Sequence, residues 1–152
     1  MSTRILLLNG PNLNLLGQRD TAMYGAQTLE ALERAVAEHA ASLGAEVLNV
    51  QSNVEGELIN ALHDAQDTCV GVVFNPGGYS HTSVALRDAV EAIKIPTVEV
   101  HLSNIHAREG YRRKSLTAEA AVACISGLGI QGYLAALDRI IEDHRAQTTK
   151  SG

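Results

Sequence analysis

Aromatic side chains are nearly absent from this 152-residue chain, which holds four Tyr, one Phe and no Trp. Base-stacking platforms for single-stranded nucleic acid are built from such rings, so that role is not expected. Basic residues are also in the minority, 12 Lys and Arg against 17 Asp and Glu for a formal charge of -5. That balance argues against general binding to nucleic acid or to an anionic membrane surface. No apolar run approaches the length needed to span a bilayer. Met1 to Ile5 lead straight into an apolar segment with no A-x-A-like cleavage site, so no signal peptide is expected. Cysteine is scarce too. Cys69 and Cys124 both sit in apolar runs and read as reduced, buried thiols of a cytoplasmic protein, not as a disulfide or metal pair.

What remains is a chain 45% hydrophobic, rich in Ala, Val, Leu and Ile, and long enough for one domain over residues 1–152. Two kinds of segment alternate. Ile5 to Leu8 is a short apolar run stopped by Asn9-Gly10-Pro11, and Val47 to Val50 is a second. Cys69 to Phe74 is apolar without alternation, as expected of a strand covered on both faces. Pro96 to Val100 and Ala121 to Ile125 supply a fourth and a fifth strand. Between them, Leu29, Leu32, Val36, Ala40 and Leu43 recur at helical spacing behind Thr28 as N-cap. Leu58, Ile59 and Leu62 mark a helix with Glu55 and Glu57 in its first turn, where the helix dipole favours anions. Val84 to Ile93 form another, capped by Thr82 or Ser83, and a last helix is expected from about Gln131 to His144. The pattern predicts an α/β fold, most simply a flavodoxin-like five-stranded parallel sheet with helices on both faces. The polar stretch from about 147 to 152 is expected to fray. Residues 101 to 120 break the rhythm with a long irregular connection, which in a compact domain is usually functional or disordered.

Ligands of an open parallel sheet bind outside the carboxyl ends of its strands. Those ends read Asn9-Gly10-Pro11-Asn12, Gln51-Ser52-Asn53, Asn75-Pro76-Gly77-Gly78-Tyr79-Ser80-His81 and His101-Leu102-Ser103-Asn104. Asn75 to Gly78 reads as a tight turn or as a phosphate cradle, but it has neither nucleotide-binding glycine spacing. Arg108, Arg112, Arg113 and Lys114 face one acid, Glu109, so the connection is locally basic in an acidic chain. It is either a solvated face or a site for a small anion such as a carboxylate, which Arg grips with a bidentate fork. His81, His101 and His106 lack zinc-site spacing, so no metal is expected. His101, at a strand end, suits a general acid or base, or is a satisfied core histidine. Tyr24, five residues after Arg19 on a glycine-flanked loop that reads as a lid, is a conspicuous place for one of so few aromatics. A free phenol titrates near pH 10, and working as a base near pH 7 needs about 4 kcal/mol of differential stabilisation. Arg19, helped by Arg108 or Arg112, is the candidate source.

Taken together, these stretches resemble the type II 3-dehydroquinate dehydratases. The resemblance runs through Leu8–Gly17, Gln51–Glu57, Asn75–Ala85, Val98–Glu109 and Gly127–Tyr133, covering nearly the whole chain in order. It implies a flavodoxin-like fold and the reversible dehydration of 3-dehydroquinate to 3-dehydroshikimate through an enolate, with no metal and no cofactor. It implies Tyr24 as the tyrosinate base, Arg19 and Arg108 as the residues keeping it ionised, His101 as the acid and Glu99 as its orienting partner. Asn12 would hold a water against the enolate oxygen. Asn75, His81 and Arg112 would bind substrate hydroxyls and carboxylate, completed by the backbone N–H groups of Leu102 and Ser103. Asp88 would reach in from a neighbouring subunit of a homododecamer built from trimers. The chain departs from common family residues at Asp20-Thr21, Gly110-Tyr111 and Arg113-Lys114. The rival class is a flavodoxin-like module that captures a small anion without turnover. It would need the Arg-rich connection but neither Tyr24 nor His101.

Overall fold

In the computed structural model, residues 3–18, 22 and 27–151 are described. Five strands, β1 (Thr3–Asn9), β2 (Ala45–Gln51), β3 (Gly71–Asn75), β4 (Thr97–His101) and β5 (Ala123–Ser126), form one parallel sheet in the order β2-β1-β3-β4-β5. This is the flavodoxin-like order, with the chain reversing direction across the sheet between β1 and β3. The helices are α1 (Leu29–Ser42), α2 (Glu55–Ala65), α3 (Val84–Ala92), a single turn α4 (Gly110–Arg113) and α5 (Ile130–Ser151).

Strand alternation explains why both faces are covered. On β1, Ile5 and Leu7 pack with Val73, Val98 and Val100 beneath Leu32 and Val36 of α1 and Tyr133, Leu137 and Ile140 of α5. Leu6 and Leu8 point the other way and meet Val72, Phe74, Leu58 and Leu62 of α2 and Leu86 and Val90 of α3. A central strand with apolar residues on both faces therefore reads as a continuous run, and Ile5 to Leu8 are at most 1% exposed. Thr28 Oγ1 accepts the Ala31 N–H to start α1. At α3 the cap is Ser83, whose Oγ accepts from Leu86 N and donates to Glu55 Oε2 of α2. One hydroxyl thus caps a helix and ties it to its neighbour.

Three expectations are corrected. β4 ends on His101 and β5 starts at Ala123, so His101 belongs to the strand. Helix α5 continues to Ser151, past the end expected at about His144, with Thr148 Oγ1 donating to the His144 carbonyl and Thr149 Oγ1 to that of Arg145. The loss of apolar periodicity there marks exposure of a helix that goes on. Cys69 is buried, but Cys124 lies exposed on the edge strand, because an apolar run does not say which strand has only one neighbour. Both thiols are free. No helix among the described residues is long and apolar enough to cross a membrane. The 101–120 connection is a chain of single turns, Ile105–Ala107, α4 and Thr117–Glu119.

Candidate active site

The parallel register sets Asn9 beside both Gln51 and Asn75, and His101 beside Ser126, at one edge of the sheet. The β1 and β3 loops then meet backbone to backbone. Gly10 N–H donates to the Asn75 carbonyl at 2.8 Å, and a Cβ on Gly10 would sit 2.5 Å from the Pro76 carbonyl oxygen. Gly77, at φ +61°, donates its N–H to Asn75 Oδ1. These amides are spent on the turn. Its glycines serve close approach here, which favours the tight-turn reading of the Asn75–Gly78 stretch.

The edge encloses a cavity of about 180 Å³ lined by Asn12, Asn75, His81, His101, Leu102, Ser103, Arg108 and Arg112, together with Pro11, Leu13, Gly77, Gly78 and Ile105. Eight of the residues singled out in the sequence therefore converge from four separate stretches. Asn12 adopts a left-handed backbone and donates its N–H to Asn53 Oδ1, which Gln51 Nε2 also reaches. His81 Nδ1 donates to the Lys114 carbonyl at 2.8 Å, tying the β3 turn to the basic connection. Glu109 lies between the two cavity arginines, 3.3 Å from Arg112 Nε and 3.8 Å from Arg108 Nε, and the Arg112 guanidinium stacks over Tyr111.

Just past β4, the His101 and Leu102 carbonyls accept from the N–H groups of Gly127 and Gly129. In a trans peptide the N–H points opposite its carbonyl, so the Leu102 and Ser103 N–H groups face away from the 127–129 turn. Both residues line the cavity. An anion placed there would meet two backbone donors and two guanidinium groups.

Glu99 and His101 alternate with the core residues Val98 and Val100, so they share the opposite face of β4. Glu99 is fully buried and His101 is 5% exposed. Their Oε2 and Nε2 are 2.6 Å apart. Ser115 Oγ donates to Glu99 Oε2 at 2.5 Å, and Thr117 Oγ1 donates to Oε1. A carboxylate only accepts, so the His101 Nε2 carries the proton and Nδ1 is the ring nitrogen left to exchange one. Although Cys124 is exposed as a residue, its Sγ lies 4.0 Å from Glu99 Oε2, and partial desolvation of the sulfur together with the Glu99 charge pushes the thiol up to about 11. Glu99, His101 and Cys124 are the one group among the described residues whose Glu, His and Cys donor atoms converge, within 4.8 Å. Both Glu99 oxygens already hold hydroxyl donors, so the group stands as a hydrogen-bonded cluster. The combination of His81, His101 and His106 does not form such a group.

Glu99 lies behind His101 and does not line the cavity. Asp88 is exposed on α3, 3.6 Å from Arg87 and outside the cavity of its own chain. Arg19 and Tyr24 fall outside the described residues. Three contributors escaped sequence reasoning. Tyr133 falls among the apolar residues of the last helix, yet its hydroxyl, fully buried on α5, donates to Asn9 Oδ1 and accepts from Asn75 Nδ2. Ser115 and Thr117 carried no motif. The available signals were a tyrosine in an otherwise aliphatic helix face and two hydroxyls directly after the basic stretch.

A buried imidazole–carboxylate pair opening onto a cationic cavity at the carboxyl edge of a doubly wound sheet is the arrangement of an acid–base enzyme for a small anion. The family model for class II dehydroquinase matches residues 3–141. The chain is 57% identical over 138 residues to a 3-dehydroquinate dehydratase of Corynebacterium glutamicum, covering 91% of this chain and 95% of that one. It is 47% identical over 143 residues to the catabolic 3-dehydroquinase 1 of Fusarium vanettenii, covering 94% and 99%. Among solved structures, the type II dehydroquinase from Propionibacterium acnes superposes with a TM-score of 0.90 at 39% identity, covering 93% of this chain and 98% of that one. The chain belongs to the class II dehydroquinases.

Proposed function

We propose that this chain is a hydro-lyase that dehydrates 3-dehydroquinate reversibly to 3-dehydroshikimate. The observation that carries the reading is the Glu99–His101 pair set against the Arg108–Arg112 cavity, an acid beside a site for a carboxylate. Tyr24, as tyrosinate kept ionised by Arg19 and Arg108, removes the proton next to the ketone and leaves an enolate. Asn12 holds a water against the enolate oxygen. His101 Nδ1–H then protonates the departing hydroxyl, which leaves as water as the double bond forms. Glu99 holds the imidazole in place and offsets its positive charge. Arg112 and the Leu102 and Ser103 N–H groups receive the carboxylate, and Asn75 and His81 the ring hydroxyls. No metal or cofactor takes part in this scheme.

Relatives named for both general and catabolic dehydroquinase roles leave two places for such a reaction, the shikimate route to aromatic amino acids and quinate breakdown. The reading extends to a cytoplasmic homododecamer built from trimers, with Asp88 completing a neighbour's site. The test incubates the protein with 3-dehydroquinate and follows the conjugated product by ultraviolet absorbance. Tyr24→Phe is expected to abolish turnover while the fold persists. A folded wild-type protein with no signal above buffer would sink the proposal, and near-normal Tyr24→Phe activity would remove Tyr24 as the base. Mass in solution on the same preparation checks the assembly, a monomer at micromolar concentration being the outcome that excludes the role of Asp88.

A further inference from the structure

We infer that Ser115 and Thr117 are positioning residues for the acid, acting through Glu99, and that they couple it to the basic connection that carries Arg108 and Arg112. The inference rests on the acid role proposed for His101.

Glu99 is completely buried. A carboxylate withdrawn completely from water is tolerated only when donors replace the lost hydration. Three groups do so. Thr117 Oγ1 reaches Oε1, while Ser115 Oγ and His101 Nε2 share Oε2. Thr117 is itself fully buried, so water cannot stand in for its hydroxyl. Cys124 from β5 is a distant fourth donor at 4.0 Å.

These donors keep Glu99 an acceptor on both oxygens. Were Thr117 Oγ1 absent, Oε1 would be a bare buried acceptor, and the carboxylate would lose one of the contacts that fix its orientation toward His101 Nε2. The imidazole would then lose the firmly held acceptor that sets its tautomer and ring position. The two hydroxyls therefore determine the state of His101 without touching it.

The same residues end the basic connection. Leu116 N–H, between them, donates to the Ser80 carbonyl at 2.7 Å, and the Lys114 carbonyl accepts from His81 Nδ1. Ser115 Oγ also accepts the Ala118 N–H, starting the Thr117–Glu119 turn. The segment bearing Arg108 and Arg112 thus returns to the sheet by fastening onto the carboxylate that holds the acid.

Thr117→Val keeps the shape and deletes only the hydroxyl. Its kcat on 3-dehydroquinate is expected to fall roughly 10- to 100-fold, the effect of one hydrogen bond to a buried charge, with KM changed much less. Thr117→Ser should recover most of the loss. Ser115→Ala should lower kcat less, because Oε2 keeps His101, and raise KM more, because the connection is released. Proton NMR supplies a readout independent of turnover. The Nε2–H···Glu99 proton is expected as a far-downfield line, absent in His101→Ala, moved or broadened in Thr117→Val and restored in Thr117→Ser. An unchanged line and unchanged kcat in folded Thr117→Val would overturn the inference, as would an equal kcat loss in Thr117→Ser. If Thr117→Val does not fold, Thr117→Ser and Ser115→Ala decide by the same line. A wild-type protein that showed the line and its response but no turnover would refute the proposed reaction and leave the positioning role standing.

Discussion

The two ends of the sheet differ less in size than in what their polar groups do. At the amino ends, a depression of about 570 Å³ is lined by Thr3, Arg4, Asp67, Thr68, Cys69, Val70 and His144. At the carboxyl ends, the cavity holds about 180 Å³. Volume alone would choose the amino end. Yet its polar side chains are open to solvent, and the Arg4–Glu46 pair there is 41% and 55% exposed. The carboxyl edge instead buries Asn9 and Asn75 and joins them to Tyr133, and buries His101 and joins it through Glu99 to Thr117, in two hydrogen-bonded networks. Burying a polar group is costly unless it is paired, so paired burial concentrated at one edge is the better marker of a site.

His101→Ala should break that contrast most severely. It removes the acid and strips Glu99 of its one ring N–H donor. General acid catalysis contributes about 10²- to 10⁴-fold, and kcat is expected to fall within that range. The measurement is the initial rate of absorbance increase with 3-dehydroquinate, on protein whose melting curve shows it folded. Turnover within threefold of wild type would reassign the acid.

Tyr133→Phe tests the other network, behind the cavity. It leaves Asn9 Oδ1 and Asn75 Nδ2, both buried, without their shared hydroxyl. The expected cost is about 1–3 kcal/mol, read as a lower Tm at pH 7. The variant should also change the alkaline limb. Burial raises the Tyr133 phenol above its ordinary value, so the folded state holds this proton more tightly than the unfolded chain. That contribution is complete below about pH 10, where an unfolded tyrosine titrates, and is lost as pH climbs toward the raised value. Tyr133→Phe should therefore lose less stability than wild type above pH 10. A parallel loss in both proteins would contradict this account.

The fold was readable because each element declares its period. Ile5–Leu8 and Val72–Phe74 are apolar on both faces, and Leu29, Leu32, Val36 and Ala40 return every three to four residues. The loop residues of the site were readable for a topological reason, since parallel strands deliver their carboxyl ends to one edge. Residues joined by tertiary packing were not. Thr117 meets Glu99 across 18 positions and Tyr133 meets Asn9 across 124, and neither pairing leaves a local pattern. Tyr133 was hidden further because a ring on a helix face looks the same whether or not its hydroxyl finds a partner. The exposure of Cys124 was misread for the complementary reason: hydrophobicity describes a strand, while edge position belongs to the sheet.

The smallest effect is expected at the amino end, and it is the control that gives the comparison its meaning. Arg4→Ala removes an ion pair with Glu46 that is long, at 3.4 Å, and open to water on both sides. Pairs of this kind contribute less than about 1 kcal/mol and fade as salt screens them. The backbone carbonyl of Arg4, which accepts the Val70 N–H at 2.8 Å, is unaffected by the substitution and keeps β1 joined to the start of β3. Urea denaturation should therefore show a loss below about 1 kcal/mol at low salt that shrinks further in 0.5 M NaCl. The kcat and KM for 3-dehydroquinate should match wild type, because nothing at this edge touches the Glu99 or Tyr133 networks. A several-fold drop in kcat from Arg4→Ala would mean that the two ends of the sheet are coupled through β1, and paired burial would no longer separate the site from the surface.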